Sequence, residues 1–200
     1  GHSRAFIKIQ DGCDCFCSYC IVPYARPVKR SKPLADVLHE IEVLQQKGFA
    51  EIVLTGINIG NYLCPQTGTD LAGLCAAIAR LPGRFRVRFS SIELQTVTDG
   101  IIDQMALRPD RFCNYFHLPL QAGCDKILKD MHRHYDTAAY RARVEDLRRR
   151  VPQIGIFADV IAGFPTETEA DFEATAAFIR EVRLAGLHVF SYSPRPGTPA

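Results

Sequence analysis

The run Ala5-Phe-Ile-Lys-Ile9, followed after Gln10 by Asp11-Gly-Cys13-Asp-Cys15-Phe-Cys17-Ser-Tyr-Cys20, sets the reading of the chain. Its alternating apolar residues predict a short strand, so the cysteine-rich loop sits at that strand's carboxyl end. Outward from this loop, β-rich runs alternate with helical periodicity. Pro33 suits the first turn of a helix in which Leu34, Val37, Leu38, Ile41 and Leu44 share one face. Glu51–Thr55 is a β-branched run ending at Gly56, and Leu71–Leu81 reads as the next helix. Arg86–Ser90 alternates as a strand, and Ile101–Leu107 is helical. Tyr115–Leu118 predicts a fourth strand, and Tyr140, Val144, Leu147 and Val151 mark an amphipathic helix. Ile154–Ile161 is an apolar strand, and Leu187–Tyr192 is the sixth. Between them lies a helix carrying Phe172, Ile179 and Val182; Thr166 with Glu169, or Thr168 with Asp171, fits a capping box at its start.

Six strand–helix units predict an α/β fold on a parallel sheet rather than a sandwich. Right-handed crossovers curl such a sheet, and six units are too few for the closed eight-stranded barrel. The expected architecture is a partial (β/α)6 TIM-like barrel, with a doubly wound open sheet as the alternative. In both, ligands gather at the carboxyl ends of the strands.

The chain has 200 residues and a net charge of +2, enough for one sizeable core and neutral on whether it meets nucleic acid. No apolar run approaches the roughly 18 residues of a membrane span, and no secretory signal pattern is present. Gly1-His2-Ser3 reads as a tag remnant, with residues 4–200 as one catalytic domain. Of the eight cysteines, four crowd into residues 13 to 20 while Cys64, Cys75, Cys113 and Cys124 are scattered. That distribution favours metal binding over a disulfide framework, and points to the reducing cytoplasm.

Within the loop, Cys13, Cys17 and Cys20 have the spacing C-x3-C-x2-C. Three thiolates on a short loop can hold three corners of an iron–sulfur cubane and leave one iron open, which suits catalysis. Adding Cys15 gives the four thiolates of a closed zinc site, though C-x-C-x-C crowds them; unliganded thiols are the third reading. The role of Cys15 stays open.

With Tyr19 as the aromatic, C-x3-C-x-aromatic-C after the first strand resembles the signature of radical S-adenosylmethionine (SAM) enzymes. Asp11-Gly-Cys13, Cys20-Ile-Val-Pro-Tyr-Ala-Arg26, Thr55-Gly-Ile-Asn-Ile-Gly60, Ser90-Ser-Ile-Glu93, His117-Leu-Pro-Leu-Gln-Ala-Gly123, Asp159-Val-Ile-Ala-Gly-Phe-Pro165 and Tyr192-Ser-Pro-Arg-Pro-Gly-Thr-Pro-Ala200 resemble the methylthiotransferases, in that family's order. The resemblance implies a [4Fe–4S] cluster on Cys13, Cys17 and Cys20 that cleaves SAM to a 5′-deoxyadenosyl radical. It also implies hydrogen abstraction from C2 of an adenine and insertion of a methylthio group. Pro23-Tyr-Ala-Arg26 and Thr55–Gly60 look most like the branch acting on N6-threonylcarbamoyladenosine 37 of tRNA. The branches acting on isopentenyladenosine 37 and on a ribosomal-protein aspartate are the alternatives. A zinc-bearing structural or RNA-binding module is the reading of another class.

The family carries an N-terminal domain with three further cysteines for an auxiliary cluster and a small C-terminal RNA-binding domain. Neither is in this sequence, so the expectation is a domain that cleaves SAM without completing methylthio transfer. Implied partners are the tRNA anticodon loop and an electron donor such as flavodoxin or ferredoxin, with no membrane. Thr166 replaces the family's usual glycine, and Asp14-Cys15 departs from its usual polar pair.

By the same resemblance Tyr19 lines the adenine pocket, against a core-packing reading. Thr55-Gly56 meets the SAM amino group, against a plain turn glycine. Ser90, Ser91 and Glu93 end the third strand and face the methionine or ribose of SAM; a carboxylate beside an apolar strand calls for a partner. Gln121 can bind ribose hydroxyls. Gly163 and Pro165 shape the turn near adenine, and Arg133 matches an arginine near the SAM carboxylate. His117 reads as a core or supporting residue rather than a catalytic one. Arg26, Lys29, Arg30 and Lys32 form a basic stretch that can meet RNA phosphate or simply be solvated. Arg148, Arg149 and Arg150 read as a solvated helix face.

Overall fold

A computed structural model describes residues 3–200; Gly1 and His2 of the expected tag remnant lie outside the described residues. In chain order the elements are β1 (Arg4–Asp11), α1 (Val22–Ala25), β2 (Arg30–Ser31), α2 (Leu34–Gln46), β3 (Glu51–Gly56), α3 (Leu71–Arg80) and β4 (Arg86–Phe89). Then come α4 (Asp99–Leu107), β5 (Tyr115–His117), α5 (Asp125–Asp130), α6 (Thr137–Arg150), β6 (Gly155–Ala162), α7 (Glu169–Val182) and β7 (Gly186–Ser191).

β1 pairs in parallel with β3, β3 with β4, β5 with β6, and β6 with β7. Two ladders result, β2-β1-β3-β4 and β5-β6-β7. Parallel bridges Val87↔Phe112 and Ser91↔His117 join them at β4 and β5. The parallel strands thus stand in sequence order with no reversal point. This is the curled half-barrel of the six-unit expectation, and it replaces the doubly wound alternative, whose strand order would reverse midway.

Alternation decides which face is which. In β1 Ile7 and Ile9 are fully buried whereas Phe6 and Lys8 are exposed; in β6 Ile156, Ala158 and Val160 are buried while Phe157, Asp159 and Ile161 are half-buried. The buried set packs under the helices: Val37 and Ile41 of α2, Leu74, Cys75 and Ile78 of α3, and Tyr140, Val144 and Leu147 of α6. The other set lines the concave side. At the seam, Phe89 stacks on Phe116 with ring centroids 5.6 Å apart and on Phe112 at 6.0 Å.

Helix α7 starts with a capping box formed by Thr168 and Asp171. Thr166 does not cap; its hydroxyl donates to Asp130 Oδ2 at 2.5 Å, which corrects the Thr166–Glu169 reading. Three short pieces were not expected from the sequence, the first being the four-residue α1. β2 is only two residues long, and α5 has six, too short for periodicity to show. Among the described residues no helix is long and apolar enough to cross a membrane.

Candidate functional site

The cysteine loop leaves β1 through Gly12, whose φ of 82° is left-handed and where a Cβ would stand 2.2 Å from the Val28 carbonyl oxygen. Gln10, 2% exposed, fixes this departure. Its amide donates to the carbonyls of Asp11 and Gly12, both at 2.8 Å, and its Oε1 accepts from the Asn58 N–H at 2.7 Å. The loop is thereby tied to the segment after β3. Gly56 ends β3 where a Cβ would lie 2.6 Å from the Gln10 carbonyl oxygen, so close approach of two strand ends is what requires glycine there.

Cys13 and Cys20 are half-buried and Cys17 is buried, and all the cysteines are free thiols. The Cys15 thiol donates towards Cys13, as does the Cys15 N–H at 3.4 Å, and together they pull the Cys13 thiol down to about 6 against the effect of burial. Cys13 is thus primed as a thiolate, the form that binds metal. Cys15 shifts the other way, first through the same bond to Cys13 and then through burial. Burial also pushes Cys20 up. Cys17 faces a cation: Arg133 Nη1 donates to its Sγ at 3.0 Å.

Arg133 is the hub of the site. Its guanidinium also pairs with Glu93 and donates from Nε to the Tyr135 hydroxyl at 3.2 Å. The single Tyr135 O–H proton is shared between the carbonyls of Pro119 and Leu120, each 2.8 Å away. Burial works against the Arg133 charge, but Tyr135, Glu93, Tyr19 and Cys17 outweigh it and keep it protonated. Glu93 therefore has the partner its position demanded. The loop is held from behind as well, Ser18 donating to the Asp130 carbonyl at 2.8 Å and accepting from the Ala200 N–H at 2.9 Å through its own carbonyl.

The remaining predicted residues fall in two places. Tyr19 and Gln121 line one cavity, of ≈ 250 Å³, with Asp159, Ile161, Tyr192 and Arg195. Gln121 adopts φ 66°, a left-handed value rare for a side-chain-bearing residue and held here by backbone bonds to Asp159 and Ile161. Thr55 and Ser90 close the neighbouring strand ends, and Ser91 pairs with His117 across the seam. Pro165 instead lines a second cavity of ≈ 620 Å³ with Ser18, Asp130, His132, Phe164 and Thr166. Gly163, at φ 76°, turns the chain between the two and donates to Glu167 Oε2 at 2.6 Å. Asn58 Oδ1, Ser90 Oγ and the Tyr192 hydroxyl are buried without hydrogen-bond partners, as a face built to receive a polar ligand would leave them.

The basic stretch is exposed at Arg26, Lys29 and Arg30, as the solvated reading has it, and also makes local ion pairs. In the basic stretch, Arg26 pairs with Asp11 at 3.0 Å, Lys29 with Asp14 at 2.5 Å, and Lys32 with Glu40. These side chains brace the cysteine loop and the start of α2. Arg150 is no solvated ornament: it pairs with Asp99 of α4 at 2.7 Å and with Asp103, joining α6 to α4. Tyr135, Gln10 and Asp159 join the site with no site role expected of them from sequence. The signal for Asp159 was available, since it is the one charge inside the apolar run Ile154–Ile161.

The loop also weighs between metals. Thiolates on one tetrahedral zinc, at Zn–S of about 2.3 Å, stand roughly 3.8 Å apart. Among the described residues, no three of the loop thiols lie within 4.8 Å of one another. Three thiols on one short loop, with a cation against one of them, suit the corners of an iron–sulfur cluster.

Comparison with known proteins agrees with this geometry. Residues 7–179 match the Radical SAM superfamily. The chain is 42% identical over 199 residues to the threonylcarbamoyladenosine tRNA methylthiotransferase MtaB of Thermotoga maritima, covering 99% of this chain and 45% of that protein. It is also 42% identical over 203 residues to the tRNA-2-methylthio-N(6)-dimethylallyladenosine synthase of Carboxydothermus hydrogenoformans, covering 98% and 45%. It thus spans about half the length of these relatives. The radical SAM methyltransferase TsrM of Kitasatospora setae, solved with cobalamin and a [4Fe–4S] cluster, superposes with a TM-score of 0.79 at 18% identity, over 97% of this chain and 38% of that one. The half-barrel, the cysteine loop at the mouth of its first strand and the family match lead to one conclusion: this chain belongs to the radical SAM superfamily.

Proposed function

We propose that this chain is the SAM-cleaving domain of a tRNA methylthiotransferase acting at C2 of N6-threonylcarbamoyladenosine 37. The observation that carries the reading is the buried Arg133 bridging Cys17 Sγ and Glu93, beside orphaned polar atoms at the strand ends. Cys13, Cys17 and Cys20 hold a [4Fe–4S] cluster, which when bound supplies the electron that cleaves SAM. Arg133 places a cation against Cys17 Sγ and pairs with Glu93. Glu93, Ser90, Ser91, Thr55 and Gly56 present acceptors and hydroxyls to the polar end of SAM. Gln121 meets its ribose, and Tyr19, Gly163 and Pro165 surround its adenine. The tRNA anticodon loop is the substrate, and a flavodoxin- or ferredoxin-type protein supplies electrons.

The dimethylallyladenosine reading is the second, favoured by the equal identity to a synthase of that product. The two separate in one assay, in which the complete protein is given tRNA bearing either modification and the 2-methylthio nucleoside is measured by mass spectrometry. For the domain itself, anaerobic reconstitution followed by electron paramagnetic resonance with and without SAM is decisive. A reduced-cluster signal that SAM perturbs and Cys17→Ala abolishes is expected. Stoichiometric zinc with no cluster would sink the reading.

A further inference from the structure

His117, Asp159 and His188 stand on the neighbouring strands β5, β6 and β7, all on the concave face. Asp159 and His188 are direct partners in the β6–β7 register, and the ring of His117 lies 5.1 Å from that of His188. Asp159 Oδ1 is 2.9 Å from His117 Nε2 and 3.4 Å from His188 Nδ1. Among the described residues this is the one trio of histidine, cysteine or acidic side chains whose ligand atoms lie within 4.8 Å of one another. Nothing in the cluster-and-SAM chemistry uses it.

Two further observations point to a ligand. His117 is 8% exposed, and its Nε2 is buried without a hydrogen bond: the carboxylate is close, but not in line with the ring N–H. A simple imidazole–carboxylate pair would align. The other ring nitrogen, Nδ1, is 3.5 Å from the Tyr115 hydroxyl. That is the arrangement of a metal-binding histidine, with one nitrogen turned to the metal and the other to a polar group that fixes its tautomer. Metal–ligand bonds of about 2.0–2.2 Å at tetrahedral or octahedral angles put donor atoms roughly 2.9–3.5 Å apart, and both histidine distances to Asp159 Oδ1 fall in that range.

We propose that His117, Asp159 and His188 bind one divalent first-row transition-metal ion. Two imidazoles and one carboxylate on a single side match the sites of non-haem iron and catalytic zinc, which keep open positions. Asp159 also lines the cavity formed with Gln121, Ile161 and Tyr192, from which water or an anionic group of a bound molecule can complete the shell. The site is separate from the thiolate loop, but Asp159 shares a cavity with Tyr19 and Gln121, which the proposed function gives to SAM; metal titrations that contain no SAM test the site apart from that reading.

Cobalt(II) tests it. The chain with Cys13, Cys15, Cys17 and Cys20 changed to serine is titrated anaerobically with Co²⁺. The expected result is one equivalent bound, with visible d–d bands and no near-ultraviolet thiolate-to-cobalt charge transfer. His188→Ala, at an exposed edge-strand position, is expected to weaken binding on the order of tenfold or more, and Asp159→Asn likewise. The unmodified chain provides a second measurement: Mn²⁺ prefers oxygen and nitrogen donors to thiolate, so loss of its free-ion paramagnetic signal on addition of protein, restored by His188→Ala, reports the same site. No binding in either titration, or binding indifferent to His188→Ala and Asp159→Asn, overturns the proposal.

Discussion

Arg133 shows how one side chain links stability and chemistry. Its side chain is 3% exposed, and it is the cation shared by Cys17 and Glu93. Removing one member of a buried ion pair costs about 3–5 kcal/mol because the other charge is stranded. Arg133→Met should therefore lower the urea unfolding free energy by about that amount, and Glu93→Gln in the same chain should recover part of it. Asp11 gives a pH dependence. Hydrogen bonds from Lys8 and then Arg26 hold its carboxyl down at about 2. Its stabilisation is complete above the unfolded value of about 3.9 and is lost as pH falls through the folded value. The urea midpoint should fall between pH 5 and pH 2, and Asp11→Asn should make that fall shallower.

Among the elements, α7 rests most visibly on local chemistry. Thr168 accepts from the Asp171 N–H, and the Asp171 carboxylate accepts from the Thr168 N–H at 3.0 Å. Thr168→Ala should cost about 1 kcal/mol, read as a shift in thermal unfolding, whereas Thr166→Ala should leave the cap intact. Sequence offered both threonines as caps and could not choose. The choice fell to Asp130, which draws Thr166 away from the helix end. In the same way the Arg148–Arg150 run looks like a solvated face until α4 brings Asp99 and Asp103 beside Arg150.

At the scale of the molecule, the weak point is the seam between the two ladders. Few backbone bridges cross it, and Phe89 fills it with Phe112 and Phe116. Phe89 is 1% exposed. Phe89→Ala should cost about 3–5 kcal/mol, and hydrogen exchange should show protection lost in β4 and β5 before β1 and β3. By itself the sequence determined the six parallel strands, the helices of three turns or more, and the position of the cysteine loop at the end of β1. Periodicity and thiol spacing are local properties, and both were readable without coordinates. Only the tertiary structure decided which polar groups meet across distance: Arg133 with Cys17 and Glu93, Gln10 with the segment after β3, and His117, Asp159 and His188 across three strands. Those residues are far apart in the chain and lie in different periodic patterns. The curl of the sheet alone sets the distances between them, and Coulomb and hydrogen-bond energies depend on those distances.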